Sequence, residues 1–187
     1  MTAGQSLGVA GERPHLTYFP VDCLLSMVST EGVEALSVGR EGTSFPDLAL
    51  KAANLPLDVV VSIGGRAWSM KTSRLQAMAA ADDAIHRRLA EAHHAAFCET
   101  ALVSIGRAKG SRMGDLARWL HRGCEVTGRV SLAISHAHLA SLLGTRRQTI
   151  TTNLAEMEGM NLIATRRTLI TVRDLAGLAR ISDKPAY

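Results

Sequence analysis

The stretch Ser135-His-Ala-His-Leu-Ala-Ser-Leu-Leu-Gly144-Thr-Arg-Arg-Gln-Thr-Ile150 reads as a helix, a tight turn and a second helix. Leu139, Leu142 and Leu143 fall on one side of the first helix. Gly144 supplies the positive φ that a sharp helix-to-helix turn needs. Thr145 is a candidate N-cap, with Gln148 at the spacing of a capping box. In the second helix Ile150, Leu154 and Met157 recur at i, i+4 and i+7 and so share a buried face. Gln148, Thr151, Thr152 and Ala155 point roughly the other way, with Arg146 and Arg147 at the N-terminal tip. A helix buried on one side, with arginine, glutamine and threonine free on the other, suits the major groove of DNA.

Charge is distributed to match. Residues 1–110 hold 10 Lys+Arg against 11 Asp+Glu, whereas residues 111–187 hold 11 against 6, and ten of those eleven are arginine. Arginine forms bidentate contacts with phosphate and with guanine edges. Just beyond the helix pair, Asn161–Thr165 and Thr168–Val172 read as two short strands around Arg166 and Arg167, a hairpin wing with a basic tip. Asp174 then caps a last short helix carrying Leu175, Leu178 and Ile181.

Toward the N-terminus the pattern changes. Residues 1–14 read as a flexible lead-in. Thr17–Pro20, Leu24–Val28, Val33–Val38 and Val59–Ile63 are short β runs broken by Gly32, Gly39, Gly42, Pro46, Pro56 and Gly64-Gly65, as in a small sandwich or barrel. From about Thr72 to Ile105 there is neither Gly nor Pro; Thr72 or Ser73 is a candidate cap for a short helix, and Asp82 or Asp83 for a long one. Along the long helix, Ile85, Leu89, Ala92, Ala96 and Val103 trace a stripe close to coiled-coil spacing. It reads either as a dimer seam or as the face of a helix packed on its own β domain. The small alanines, which permit close helix approach, favour the seam. The expected division is therefore a sensor-like β domain over 15–81, a long helix over 82–105, a basic hinge over 106–114 and a DNA-binding domain over 115–187.

With these residues in view, the chain resembles the cyclic-AMP receptor protein / fumarate-nitrate regulator (CRP/FNR) superfamily of bacterial transcription factors. Leu116-Ala-Arg-Trp-Leu120, Ile134 through Ile150, Asn161-Leu-Ile163 and Ile170-Thr-Val-Arg-Asp174 carry the resemblance, and Tyr18-Phe-Pro20, Leu25–Val28 and Val38–Gly42 resemble the sensor strands more loosely. The resemblance implies an α+β fold: a small cyclic-nucleotide-binding-like β-roll, a long dimerisation helix and a C-terminal winged helix-turn-helix. The family has more residues ahead of the Tyr-Phe-Pro strand, so the roll is either incomplete or entered late in this chain.

The family's recognition helix usually reads Ser-Arg-Glu-Thr-Val, then a small residue and an arginine; the matching positions are Arg146, Arg147, Gln148, Thr149, Ile150, Thr151 and Thr152. Arg147 thus stands where the resemblance puts a guanine-reading arginine. Gln148 replaces a cytosine-reading glutamate, and glutamine pairs more naturally with adenine. Gln148 is free to do so unless it folds back as the capping partner of Thr145. The expected base contacts are Arg147, Gln148, Thr151 and Thr152, and the expected phosphate contacts are Arg146, Thr149, Arg166 and Arg167. In Gly42–Leu48, Phe45 and Pro46 stand where a cyclic-nucleotide cassette has small residues, so no cofactor is expected and the effector is left open.

Other chemistry is poorly supported. His94 and Cys98 have i, i+4 spacing, but two ligands on one helix are not a metal site. His86 and His93 read as surface or packing residues, and His136 and His138 as surface residues or phosphate contacts. Cys23, Cys98 and Cys124 match neither a disulfide framework nor an iron–sulfur spacing, which fits a reducing compartment. Trp68 and Trp119 read as core residues. No phosphate-binding loop, nucleophile elbow or paired catalytic carboxylates appear, so no enzyme activity is expected. The expected partners are double-stranded DNA and a second copy of the chain, with RNA polymerase a further one and no membrane; the expected location is the cytoplasm. The competing reading is a winged-helix module that docks protein and carries a degenerate sensor domain.

Overall fold

The computed structural model describes residues 1–45, 54–55, 57–109 and 111–182. The chain forms two compact units, one of Met1–Thr30 with Ala35–Ala101, the other of Glu31–Glu34 with the residues from Leu102 onward.

Among the described residues the first unit holds six strands: β1 (Ser6–Gly8), β2 (Leu16–Pro20), β3 (Leu24–Val28), β4 (Glu34–Val38), β5 (Asp58–Ile63) and β6 (Ala67–Lys71). Four form a sheet in the order β1-β5-β3-β4, and β2 pairs with β6 in a second. Alternation places Leu25, Val59 and Val61 in a core with Cys23, Leu36, Val38, Phe45 and Leu55. Two strands escape the hydrophobic pattern. β1 lies within the expected flexible lead-in yet pairs antiparallel with β5, and the Met1 ammonium donates to Gly65 O at 2.7 Å. β6 pairs along its whole length with β2, Phe19 opposite Trp68. Trp68 is 75% exposed, so the expectation that it fills the core is corrected; Trp119 is buried.

Helix α1 (Thr72–Ala81) starts without a side-chain cap. The Thr72 hydroxyl instead bonds that of Thr17 at 3.0 Å inside the fold. Helix α2 (Asp83–Lys109) opens beneath Asp82, whose carboxylate accepts from Ala84 N at 2.8 Å. It continues past residue 105 into the stretch expected as a hinge. Leu89 and Ile85 pack against Leu75 and Ala79 of α1, Ala96 packs on the sheet core, Ala92 is half-buried and so is Val103. Of the expected seam of Ile85, Leu89, Ala92, Ala96 and Val103, then, Leu89 is buried within the chain's own unit and the other four are half-buried. On α2, Phe97, Ala101 and Ile105 are exposed apolar side chains that share a face at i, i+4 and i+8.

The second unit is built on α3 (Arg112–Thr127), capped by Ser111, whose hydroxyl accepts from Gly114 N, and closed by Gly128 at φ +67°. Asp115 on α3 is buried and held by Arg118 at 2.9 Å, and Arg118 also donates to Ser182 O at 2.7 Å. That carboxylate tolerates burial because a guanidinium satisfies it. Strand β7 (Ser131–Ala133) leads into α4 (His136–Leu142) and α5 (Arg147–Gly159). β8 (Ile163–Arg166) and β9 (Leu169–Val172) follow, and α6 (Leu175–Ile181), capped by Asp174, closes the unit. The sheet order is β7-β9-β8. Leu116, Leu120, Leu132, Leu139, Leu142, Ile150, Leu154 and Met157 are all fully buried. Leu154→Ala should cost about 2–5 kcal/mol by opening a cavity in this core. Chemical denaturation followed by circular dichroism checks it, with a fall in midpoint and an unchanged slope expected.

Candidate nucleic-acid interface

Helix α5 is two-sided. Ile150, Leu154 and Met157 are fully buried, and α5 packs against α4, α3 and β8. Arg146, Arg147, Gln148, Thr151, Thr152 and Ala155 are exposed, and Thr149 is half-buried. The turn before the helix works through Gly144, which takes φ +58°. A Cβ in that left-handed region is strained, which is why glycine belongs there.

The start of α5 differs from the expected capping box. Its N-cap is Arg146 rather than Thr145, and no side chain caps it. Gln148 is exposed instead of folding back on Thr145, which leaves its amide available. Helix α4, by contrast, is capped by Ser135, whose hydroxyl accepts from His138 N at 3.1 Å. The sequence pattern missed this cap because Ser135 opens no longer apolar run.

The wing is a two-residue hairpin. Arg166 pairs with Leu169, and Arg167 in the turn takes φ +50°, rare for a side chain of that size. Arg166 and Arg167 are both exposed at the tip. The wing is tied to the end of α5 by Glu158, whose carboxylate accepts from Thr165 N at 2.9 Å and from Thr165 Oγ1 at 3.0 Å. The backbone bond first, then the hydroxyl and Arg173, hold the Glu158 carboxyl below its ordinary range. Its contribution is therefore present above the ordinary carboxylate pKa and lost as pH falls through the lower folded value. Strand β7 adds a third member to the wing sheet, which three residues of sequence did not signal.

The two histidines of α4 behave differently from simple phosphate contacts. His138 is half-buried, and burial lowers its pKa below the ordinary 6.5, so it is held neutral. His136 reaches across to α5, its Nδ1 lying 3.1 Å from Thr151 Oγ1. Elsewhere, Cys98 Sγ lies 3.6 Å from His94 Nε2, yet no group of three metal-binding side chains occurs among the described residues. Burial pushes the Cys124 thiol up to about 11, which makes it a packing group rather than a nucleophile. At the expected cassette, the Phe45 ring is fully buried in the sheet core; Pro46, Asp47 and Leu48 lie outside the described residues. Among the described residues no helix is long and apolar enough to cross a membrane.

Residues 116–181 match the Crp-like helix-turn-helix domain. The chain also has the fold of solved CRP/FNR-family regulators. A CRP-family transcriptional regulator from Thermus thermophilus superposes with a TM-score of 0.77 at 15% identity, over 98% of this chain and 96% of that one. A CRP/FNR-family regulator from the same organism gives 0.74 at 20% identity, over 98% and 97%. FixK2 from Bradyrhizobium japonicum gives 0.68 at 14% identity, over 99% and 96%. No curated protein matches in sequence. The chain thus shares the fold of these proteins, with N-terminal strands, a long helix and a C-terminal winged helix-turn-helix, and its residues 116–181 are a helix-turn-helix of the Crp-like kind.

Because the unfolded chain binds a proton on His138 more readily than the folded one, stability should fall as pH drops below about 6.5. Thermal melts between pH 7.5 and 5 should show that fall, and His138→Leu should flatten it.

Proposed function

We propose that this chain is a sequence-specific DNA-binding transcription regulator acting as a homodimer on a near-palindromic site. The reading is carried by α5, whose buried aliphatic face fixes its orientation while Arg147, Gln148, Thr151 and Thr152 face solvent together. In this reading those four residues contact base edges, and Arg146, Thr149, Arg166 and Arg167 hold phosphates. The uncapped start of α5 adds free backbone N–H groups at the positive end of the helix dipole, beside Arg146 and Arg147. With the glutamate and second arginine of the family pattern replaced by Gln148 and Thr152, the preferred operator contains adenine where relatives take cytosine. No cofactor is assigned, and the buried Phe45 ring speaks against a cyclic nucleotide in the cassette position.

Arg147→Ala should cost about 1–3 kcal/mol of binding and relax specificity at one position per half-site, whereas Arg166→Ala should weaken all duplexes alike and flatten the salt slope. Gel shifts against selected and scrambled duplexes at several salt concentrations check both. A salt-independent affinity would point instead to a winged helix that docks protein.

For the homodimer, the proposed contact is the exposed face of α2 rather than its buried stripe. Phe97, Ala101 and Ile105 lie one helical turn apart and give a second helix an apolar row to pack on. Two half-sites about one DNA turn apart would then be read by the two copies of α5. Phe97→Asp should convert a dimer to a monomer in sedimentation analysis and abolish tight binding to a two-half-site duplex.

A further inference from the structure

Thr151 sits in the middle of the exposed face of α5, and its hydroxyl is already engaged. Oγ1 donates to Arg147 O at 3.1 Å, the back-bond to the preceding helical turn. The second close neighbour is His136 Nδ1 at 3.1 Å, so both partners of this hydroxyl, which has one proton to give, lie inside the protein. His136 is thereby fixed in orientation against α5. Its Nε2 is buried, with no hydrogen-bond partner among the described residues, so the ring points into the fold and is not itself a phosphate contact. Two bonds, one from each helix of the pair, hold Thr151 in a single side-chain rotamer.

The consequence for recognition follows from what remains. With its only proton used inside the protein, Thr151 cannot donate to guanine O6 or N7, to adenine N7 or to thymine O4. What it still presents is an acceptor lone pair and the methyl group, and only the methyl is free of any contact within the protein. In the major groove the matching feature is the C5-methyl of thymine. We infer that Thr151 reads a thymine by methyl-to-methyl contact, and that His136 is the positioning residue that sets this preference by occupying the hydroxyl. This rests on the DNA-binding reading given above. His136 touches no base in this account; it acts through Thr151.

The test uses the full chain and a duplex selected from a randomised pool. Each thymine of that duplex is replaced in turn by deoxyuridine, which removes only the methyl, and dissociation constants are read by fluorescence anisotropy. One thymine per half-site should show a loss of about fourfold on the wild-type chain, the value of one buried methyl group. Thr151→Val, which keeps the methyl, should retain that penalty, and Thr151→Ser should abolish it. His136→Ala should shrink the penalty toward onefold, whereas His136→Asn, whose amide restores an N–H near Nδ1, should keep it. A merely structural role for His136 would lower the melting temperature and leave the thymine-to-deoxyuridine ratio intact. That result, or a Thr151→Val chain indifferent to the methyl, would overturn the inference while leaving DNA binding in place. Failure to enrich any duplex from the pool would overturn the DNA-binding reading, and this inference with it. Should His136→Ala not fold, the Val and Ser variants at 151 decide the thymine contact and His136→Asn decides the positioning role.

Discussion

Burial of Ile150, Leu154 and Met157 is the constraint on which the second unit depends. These three side chains occupy one face of α5 and meet the buried leucines contributed by α3 and α4. Interiors of this kind are close-packed, so the helix can neither roll nor slide without opening a void or forcing a clash. Fixing one face of a helix fixes the other. The direction in which Arg147, Gln148, Thr151 and Thr152 point is set by aliphatic groups that never meet a ligand. Ser135 at the head of α4 and Gly144 in the turn serve the same end, since they set where each helix begins and at what angle the second leaves the first.

Polar contacts then refine what packing has placed. Asp115 with Arg118 pins α3 to the backbone at Ser182, and Glu158 clips the wing strand to the end of α5. Each bond ties one element to another distant in sequence or across a turn, so the wing tip and α5 are presented as a unit. The His136–Thr151 bond belongs to the same set, with a difference: it occupies the hydroxyl of a side chain on the exposed face of α5. A surface residue's identity is an incomplete guide to what it offers. Its hydrogen-bonding capacity must first be reduced by whatever the fold has already consumed.

The long helix shows how two physical readings of one pattern are separated only by a fold. Ile85, Leu89, Ala92 and Ala96 recur at intervals that suit equally a seam with a second chain and a face packed on its own strands and on α1. Periodicity reports that a face is buried, not against what. Here α1 and the sheet supply cover, and Phe97, Ala101 and Ile105 form a row left to solvent. Trp68 is a similar case: an aromatic residue in a short strand reads as core, yet β6 pairs with β2 and leaves that ring exposed.

By itself the sequence determined the helix pair, the positive-φ turn at Gly144, the basic wing tip, the Asp174 cap and six of the strands. In each case neighbouring residues carry the signal, through spacing, side-chain capping or backbone freedom. Tertiary structure alone decided β1, β6 and β7, which are too short or irregular to alternate and exist because a partner strand satisfies their backbone groups. It also decided the direction of the α2 stripe, the replacement of a Thr145 cap by an uncapped Arg146, and the pairing of His136 with Thr151 fifteen residues away. Those outcomes depend on which surfaces meet across the fold, and that is settled by packing between elements rather than by the order of residues within any one of them.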